Sequence, residues 1–173
     1  MNLCQKLRPV TSFVIAAFLA LPLVAAGQAP AILHAAEAGK LLPDAVFFAG
    51  QSATTQLRNS AGLRFADGRC VLAVLVDTSG YSSTVQQKYQ GYLLSEVPLS
   101  MGGHSLAPGA YGIGFVGGRF FVMDIGNHNL LQAPAAHDAR MPRPMPLQIL
   151  GNTAPGADRL CFGRDCVDLR RER

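Results

Sequence analysis

The chain has 173 residues, of which 49% are hydrophobic and 15% are charged, and its formal net charge is +4 at pH 7. This length and hydrophobic content suffice for the core of one domain, which excludes a wholly disordered protein. The small basic excess lacks the strong positive charge of nucleic-acid-binding proteins, so we expect no nucleic acid among the partners. The basic residues between Arg159 and Arg173 are expected to be solvated surface groups.

Residues 1–29 are expected to form a cleaved export signal. Lys6 and Arg8 give a positively charged start, and the apolar run from Ser12 to Ala26 has about the length of a signal-peptide core. Small residues at the end of this run predict cleavage near 26/27 or 29/30. The run is shorter than the ~20 apolar residues of a membrane-spanning helix and contains Pro22, so we expect no stable membrane span after cleavage. The mature protein is therefore expected in the periplasm or outside the cell.

Cysteine spacing indicates a candidate disulfide. Export would leave Cys70, Cys161 and Cys166 in a compartment where disulfides form. The sequence LCFGRDCVDL (160–169) is typical of a hairpin with a two-residue type II′ turn that has Gly163 at its first central position. This register places Cys161 directly opposite Cys166, at a separation that a disulfide can span. The two thiols therefore form a structural bridge or stay free, whereas Cys70 is expected to be a small buried side chain.

Short runs with strand-like alternation, separated by glycine-rich turns, dominate the chain from residue 45 onward. Cys70–Val76 is a continuous apolar run of strand length, which predicts a central strand that is buried on both faces. Gly109 to Ile125 is predicted to be a hairpin that turns at Gly117 and Gly118, with one face left bare by glycines for close approach. Further strands are predicted at 45–49, 54–58, 63–66, 89–100, 130–132 and 147–150.

Two segments show little strand character. Ala31–Ala38 is rich in helix-forming residues and is followed by Gly39, so residues 30–44 are expected to be a short helix or a mobile N-terminal segment. Residues 134–146 contain four prolines and no apolar periodicity, which predicts a surface loop. The fold is therefore predicted to be all-β: one single-domain antiparallel barrel or sandwich of short strands over residues 45–173, after the signal segment.

Two glycine-containing fragments resemble ligand-binding motifs but lack the required context. Gly112–Gly117 matches G-x-G-x-x-G, yet a dinucleotide-binding fingerprint must open a helix, and a strand is predicted after it here. Gly126-Asn127-His128 resembles one block of the binuclear metallophosphoesterases, but the other acidic and histidine blocks of that family are missing from the sequence. We therefore predict neither a cofactor nor a metal site.

Val74–Gly80 (VLVDTSG) resembles the strand and D-[ST]-G loop of the retropepsin-like aspartic proteases. In that family two such loops, usually one from each subunit, bring two carboxylates together to activate water. The resemblance implies a homodimeric aspartic hydrolase that uses Asp77. Ser79, however, adds one residue to the loop at the point where the family's motif is tight. The alternative is that Asp77 only caps the turn after a core strand.

Segments 47–67, 89–98 and 106–115 resemble those of small exported bacterial β-domain proteins with no assigned activity. The resemblance covers about residues 45–169 and implies an exported β-domain without supplying functional residues. With the strand pattern, it favours a non-enzymatic binding or envelope module over the aspartic hydrolase. Such a module would hold a small apolar ligand or an envelope protein partner. Its candidate ligand-lining side chains, which otherwise fill the core, are Tyr92, Tyr111, Phe115 and Phe121.

Overall fold

The computed structural model describes residues 29–154 and 157–172. This part of the chain is mostly β-strand, as predicted, with two short helices. Its elements are β1 (Ala31–Leu33), α1 (Ala35–Ala38), β2 (Ala45–Phe48), β3 (Gln51–Arg64), β4 (Cys70–Val76), α2 (Ser83–Lys88), β5 (Gly91–Ser95), β6 (Leu99–Met101), β7 (His104–Leu106), β8 (Gly109–Val116), β9 (Arg119–Met123), β10 (Asn129–Pro134), β11 (Ala136–His137), β12 (Gln148–Ala154), β13 (Ala157–Phe162) and β14 (Asp165–Arg171).

The described strands form two antiparallel sheets. The first has the order β1-β3-β4-β5-β8-β9-β10, with β2 paired to β3, and the second has the order β12-β13-β14-β6-β7, with β11 paired to β14. The chain leaves the first sheet after β5, returns to it at β8, and crosses to the second sheet again after β10. Two-residue turns join the hairpins β8–β9 and β13–β14, and both hairpins are at the positions predicted from the sequence.

The two sheets pack face to face around one large apolar cluster. Ile113 of the first sheet and Leu160 of the second are fully buried in it. At the rim of the same cluster, the rings of Phe115 on β8 and Phe162 on β13 lie with their centroids 5.0 Å apart. Of the two architectures that the sequence leaves open, the structure is therefore the sandwich.

The strand β4 lies between β3 and β5 and is buried on both of its faces. Val71 and Ala73 point into the cluster between the sheets, whereas Leu72 and Val74 belong to a separate cluster on the opposite face, together with Leu33 of β1. The prediction of a central strand without a solvated face is confirmed. The first sheet consequently needs an apolar cover on both sides.

On the outer face of the first sheet, two glycines of β8 allow the cover to approach closely. A Cβ atom at position 112 would overlap the ring of Phe48 on β2, and one at position 114 would overlap the backbone carbonyl of Lys88 at the end of α2. Phe48 in turn stacks on Tyr89, with the ring centroids 3.7 Å apart. The expectation that this glycine face admits a ring or another backbone is confirmed, and both of these groups come from the protein itself.

Some strand limits differ from the sequence prediction. The predicted strand 54–58 and the first two residues of the predicted strand 63–66 belong to one long strand, β3, which ends at Arg64. A register shift between Gln56 and Ser60 breaks the alternation without ending the pairing to β4. The segment 89–100 is not one strand, since β5 ends at Ser95 and the hydroxyl of Ser95 donates a 2.6 Å hydrogen bond to the carbonyl of Val97. The chain changes sheets at this turn.

Short elements appear where the sequence predicts none. The strand β1 precedes α1, so the predicted N-terminal helix has only the four residues Ala35–Ala38. The helix α2 has no buried residue and no apolar periodicity, which is why the sequence pattern does not show it. The predicted proline-rich loop is shortened by β10 and β11, and the remaining loop, residues 138–146, is called loop 138–146 below.

The N-terminal prediction lies almost entirely outside the described residues. The signal segment 1–29 therefore stays a prediction. Among residues 29–154 and 157–172, no helix is long and apolar enough to cross a membrane.

Replacing Gly114 with alanine should lower the free energy of unfolding by about 1–3 kcal/mol, because the new methyl group meets the Lys88 carbonyl and neither backbone can easily move. Urea denaturation measures the change. Gly80→Ala is the matched control: nothing lies within 4 Å of that Cβ position, so this variant should stay within about 0.5 kcal/mol of the wild type. Equal stability of the two variants would contradict the close approach of α2 to β8.

Candidate functional site

Loop 138–146 lies against the outer face of the second sheet, next to the β13–β14 hairpin. The register pairs Arg159 of β13 with Leu150 of β12, and Cys161 with Gln148, so these side chains share the outer face. Met141 of the loop is buried there in a small cluster with Cys161 and Cys166. The loop thus covers part of the outer face of the second sheet and forms one wall beside the part that it leaves open.

Arg164, in the turn between β13 and β14, holds this loop in place. Its Nη1 donates hydrogen bonds to the carbonyl oxygens of Asp138, Ala139 and Met141, at 3.3, 2.9 and 2.8 Å. The backbone amide of Asp138 donates to the carbonyl of Arg164 at 2.9 Å, which ties the same two segments in the other direction. One guanidinium group therefore fixes the backbone of the first four loop residues.

Asp138 makes the second connection between the loop and the sheet. Its Oδ2 lies 3.0 Å from Nη2 of Arg159, whose side chain is only 22% exposed, and its Oδ1 accepts a 3.1 Å hydrogen bond from the amide of Arg140. The Arg159 guanidinium, aided by this amide, holds the pKa of the Asp138 carboxyl below its ordinary value of 3.8. Asp138 is therefore ionised at neutral pH.

Between the loop and the sheet lies a cleft of about 590 Å³, which we call the arginine cleft. Its size is within the range of small-molecule sites. Its three arginines combine with the apolar surfaces of methionine, leucine and proline, so the cleft offers both hydrogen-bond donors and hydrocarbon contacts. The lining residues are Asp138, Arg140, Met141, Pro142, Arg143, Gln148, Leu150 and Arg159.

A disulfide lies beside this cleft. Cys161 and Cys166 face each other across the β13–β14 hairpin, with their Cα atoms 4.1 Å apart, and their sulfurs are bonded. Gly163 in the turn has a φ of 58°, as the first central position of a type II′ turn requires. The Sγ of Cys166 lies 3.8 Å from Nη2 of Arg159, so the bridge supports both the arginine and the Met141 side chain above it.

Two of the predicted ligand-lining aromatics, Tyr111 and Phe115, belong to the cluster between the sheets. Tyr111 is 8% exposed, and its hydroxyl donates a 2.7 Å hydrogen bond to the carbonyl of Ala107. Phe115 packs between the rings of Phe120 and Phe162, with centroid distances of 4.9 and 5.0 Å. Both side chains therefore fill the core in this structure.

The other two, Tyr92 and Phe121, lie on the opposite face of the first sheet. Tyr92 packs against the apolar clusters on that face, and burial raises the pKa of its hydroxyl. Phe121 lies under the ammonium group of Lys88, which is 5.6 Å from the ring centroid. The four aromatic side chains are thus divided between two faces and do not converge on one cavity.

Asp77 occupies an exposed turn after β4. Its Oδ1 accepts a 3.0 Å hydrogen bond from the amide of Ser79, which gives the side chain the turn-capping role weighed in the sequence. This hydrogen bond also lowers the pKa of the carboxyl. The aspartic-hydrolase reading of Asp77 thus gains no support from the geometry of the single chain.

The remaining fragments that resemble known motifs lie on the strand β8 and in two turns. Gly112–Gly117 runs along β8 and into the β8–β9 turn, where Gly117 and Gly118 have positive φ values of 57° and 73°. Nδ1 of His128 lies 2.9 Å from Oδ2 of Asp124 in an exposed turn. Among residues 29–154 and 157–172, no group of three or more histidine, cysteine or acidic side chains is arranged to hold a metal ion.

Sequence reasoning missed the arginine cleft. It expected the C-terminal arginines to be solvated, whereas Arg159 and Arg164 hold loop 138–146. A usable signal lay in residues 140–144, Arg-Met-Pro-Arg-Pro, where two cationic side chains alternate with prolines that stiffen the backbone. The two arginines that hold the loop, Arg159 and Arg164, are about twenty or more residues further along the chain, so the pattern alone does not reveal a cleft.

No protein-family model, curated protein or solved structure matches the chain. The resemblance to small exported β-domain proteins therefore stays a prediction. Function is inferred from the geometry of the described residues together with the sequence.

Replacing both bridging cysteines with serine should lower the free energy of unfolding by about 2 kcal/mol, the value expected for a link that closes so short a loop. Urea denaturation with and without dithiothreitol measures it. Reductant should destabilise the wild type by a similar amount and leave the double variant unchanged, since Cys70 is not bridged. A wild type that is insensitive to complete reduction would contradict a stabilising bridge.

The Asp138 carboxyl should titrate below 3.8, because its charged form is paired with Arg159. Since the folded-state pKa is lowered, the stability that this pair contributes is fully present above the unfolded-state pKa and is lost as the pH falls through the folded-state value. Carboxyl carbon NMR shifts give the midpoint. Arg159→Gln should raise it towards 3.8, whereas Arg119→Gln, an exposed control outside the cleft, should not. Equal midpoints in both variants would contradict the pairing.

Proposed function

We propose that the protein is an exported, non-enzymatic β-domain that acts as a binding module, with the arginine cleft as its ligand site. The observation that carries the proposal is the cleft itself: about 590 Å³ between the second sheet and a loop that Arg164 holds by three hydrogen bonds. A wall fixed in this way is present before a ligand arrives, which reduces the entropy lost on binding.

The side chains of the cleft suit recognition. Guanidinium groups donate several hydrogen bonds in a fixed plane, and the Asp138 carboxylate is engaged in orienting Arg159. Met141 and Leu150 offer apolar contact to the same ligand. The ligand site thus differs in place from the aromatic residues that the sequence suggested, while the class of function stays the same.

Export is the second part of the proposal and rests on the N-terminal sequence. A positively charged start, an apolar run and small residues precede the first described strand. The disulfide fits this location, because such bonds persist in oxidising compartments and are rare in the cytosol.

Native mass spectrometry of the protein from its host's exported fraction tests the proposal. We expect a monomer whose mass begins near residue 27 or 30, with an additional bound mass. Leu150→Trp should displace this mass by filling the cleft, whereas Leu130→Trp, at a side chain that is 51% exposed on β10, should retain it. Circular dichroism verifies that both variants fold.

Two results would contradict the binding module. A monomer without additional mass under gentle ionisation conditions would contradict the expectation that the protein retains a ligand. An empty dimer with acid-pH proteolysis that Asp77→Asn abolishes would instead support the aspartic hydrolase.

A further inference from the structure

The arginine cleft carries more positive than negative charge. Arg140, Arg143 and Arg159 line it, and Asp138 is the one carboxylate among the lining residues. That carboxylate is already engaged by Arg159 at 3.0 Å and by the amide of Arg140 at 3.1 Å. Within residues 29–154 and 157–172, neither Arg140 nor Arg143 forms an ion pair through its side chain. Two guanidinium groups are therefore free to bind an anion at the wall of the cleft.

Neighbouring groups offset only part of this charge. Asp165 is held by His137, with 2.7 Å between Oδ1 and Nδ1. Asp168, opposite Arg159 in the strand register, shares its face and offsets part of the charge of that arginine, but it does not line the cleft beside Arg140 and Arg143. Three loop carbonyl groups, those of Asp138, Ala139 and Met141, accept hydrogen bonds from Arg164, which offsets their repulsion of an anion. The field in the cleft thus favours a negative ligand.

Apart from Gln148, the other lining residues of the cleft are apolar. Met141 is 5% exposed and forms the base of the loop wall, with Leu150 partly buried beside it. Gln148 donates a 3.1 Å hydrogen bond to Sδ of Met141, which fixes that side chain above the sheet. Pro142 adds a further rigid hydrocarbon surface. A ligand with a hydrocarbon portion can therefore bury it against this side while its charged end reaches the arginines.

We propose that the arginine cleft binds a small amphiphilic anion: a carboxylate or phosphate group held by Arg140 and Arg143, with a short hydrocarbon portion against Met141 and Leu150. The proposal rests on the binding function assigned above and names the class of its ligand. Arginine suits both head groups, because its planar fork donates two parallel hydrogen bonds to a carboxylate or a phosphate.

Titrations of the 15N-labelled protein followed by NMR test the proposal with four probes: hexanoate, hexyl phosphate, inorganic phosphate and hexanol. We expect hexanoate or hexyl phosphate to shift the amides of residues 140, 141, 143 and 150 in a saturable way, and the tighter of the two identifies the head group. Inorganic phosphate and hexanol each lack one half of the ligand and should bind at least about tenfold more weakly.

Arg140→Gln/Arg143→Gln should weaken the amphiphilic probe by about tenfold or more. The backbone amide of Arg140 still donates to Asp138 in this variant, so the conformation of the loop should be unchanged. Arg58→Gln/Arg119→Gln removes the same charge from exposed arginines outside the cleft and should leave binding unchanged.

Three results would overturn the inference. Equal binding of hexanol and hexanoate at the cleft would show that the ligand needs no negative charge, although the cleft would still be a binding site. Equal weakening of binding in both double variants would show that the net charge of the protein, and not the arginines of the cleft, determines the affinity. If no probe shifted the cleft amides, both the ligand class and the cleft as the site of the proposed function would be wrong.

Discussion

Burial of β4 on both of its faces obliges the first sheet to be covered on both sides. The second sheet covers one side, and β2, α1 and α2 cover the other, where glycines at 112 and 114 leave room for Phe48 and for the end of α2. The second sheet has less need of a cover, because its outer face carries a small apolar cluster around Met141 and the disulfide, whereas its inner face belongs to the large cluster between the sheets. Its outer face is therefore left with polar groups and a disulfide, and a single loop covers part of it. The cleft exists because this cover is incomplete.

The loop that forms the cleft is rich in proline and is stabilised by hydrogen bonds from an arginine side chain outside it. Pro142, Pro144 and Pro146 have no amide hydrogen, so the loop has few donors of its own for its carbonyl groups, although the Met141 amide donates to the Asp138 carbonyl at 3.2 Å. Arg164 supplies three of the missing donor contacts from one side chain. The same guanidinium is carried by a turn that the disulfide closes, so the rigidity of the hairpin is transmitted to the loop.

Much of the fold could be predicted from local sequence. The apolar run 70–76 identified the central strand, and Gly117-Gly118 and Gly163-Arg164 identified two hairpins, because turn geometry restricts which residues fit there. The continuity of β3 could not be predicted, since a bulge interrupts its alternation. The site could not be located from local pattern, because it depends on Arg159 and Arg164 meeting a loop about twenty residues earlier. The aromatic residues, which belong to different strands, did not show that they are divided between two faces.

The order of strands in the second sheet has a consequence for how the protein is made. The strand β6 pairs with β14, so Met101 lies opposite Leu169, and the hairpin β6–β7 emerges from the ribosome long before that partner. Leu99, Met101 and Leu106, which are buried in the folded sandwich, therefore gain their neighbouring strand only after β14 has been synthesised. Closure of the sandwich is therefore a late, long-range event, of the kind that folds slowly and exposes chains to aggregation.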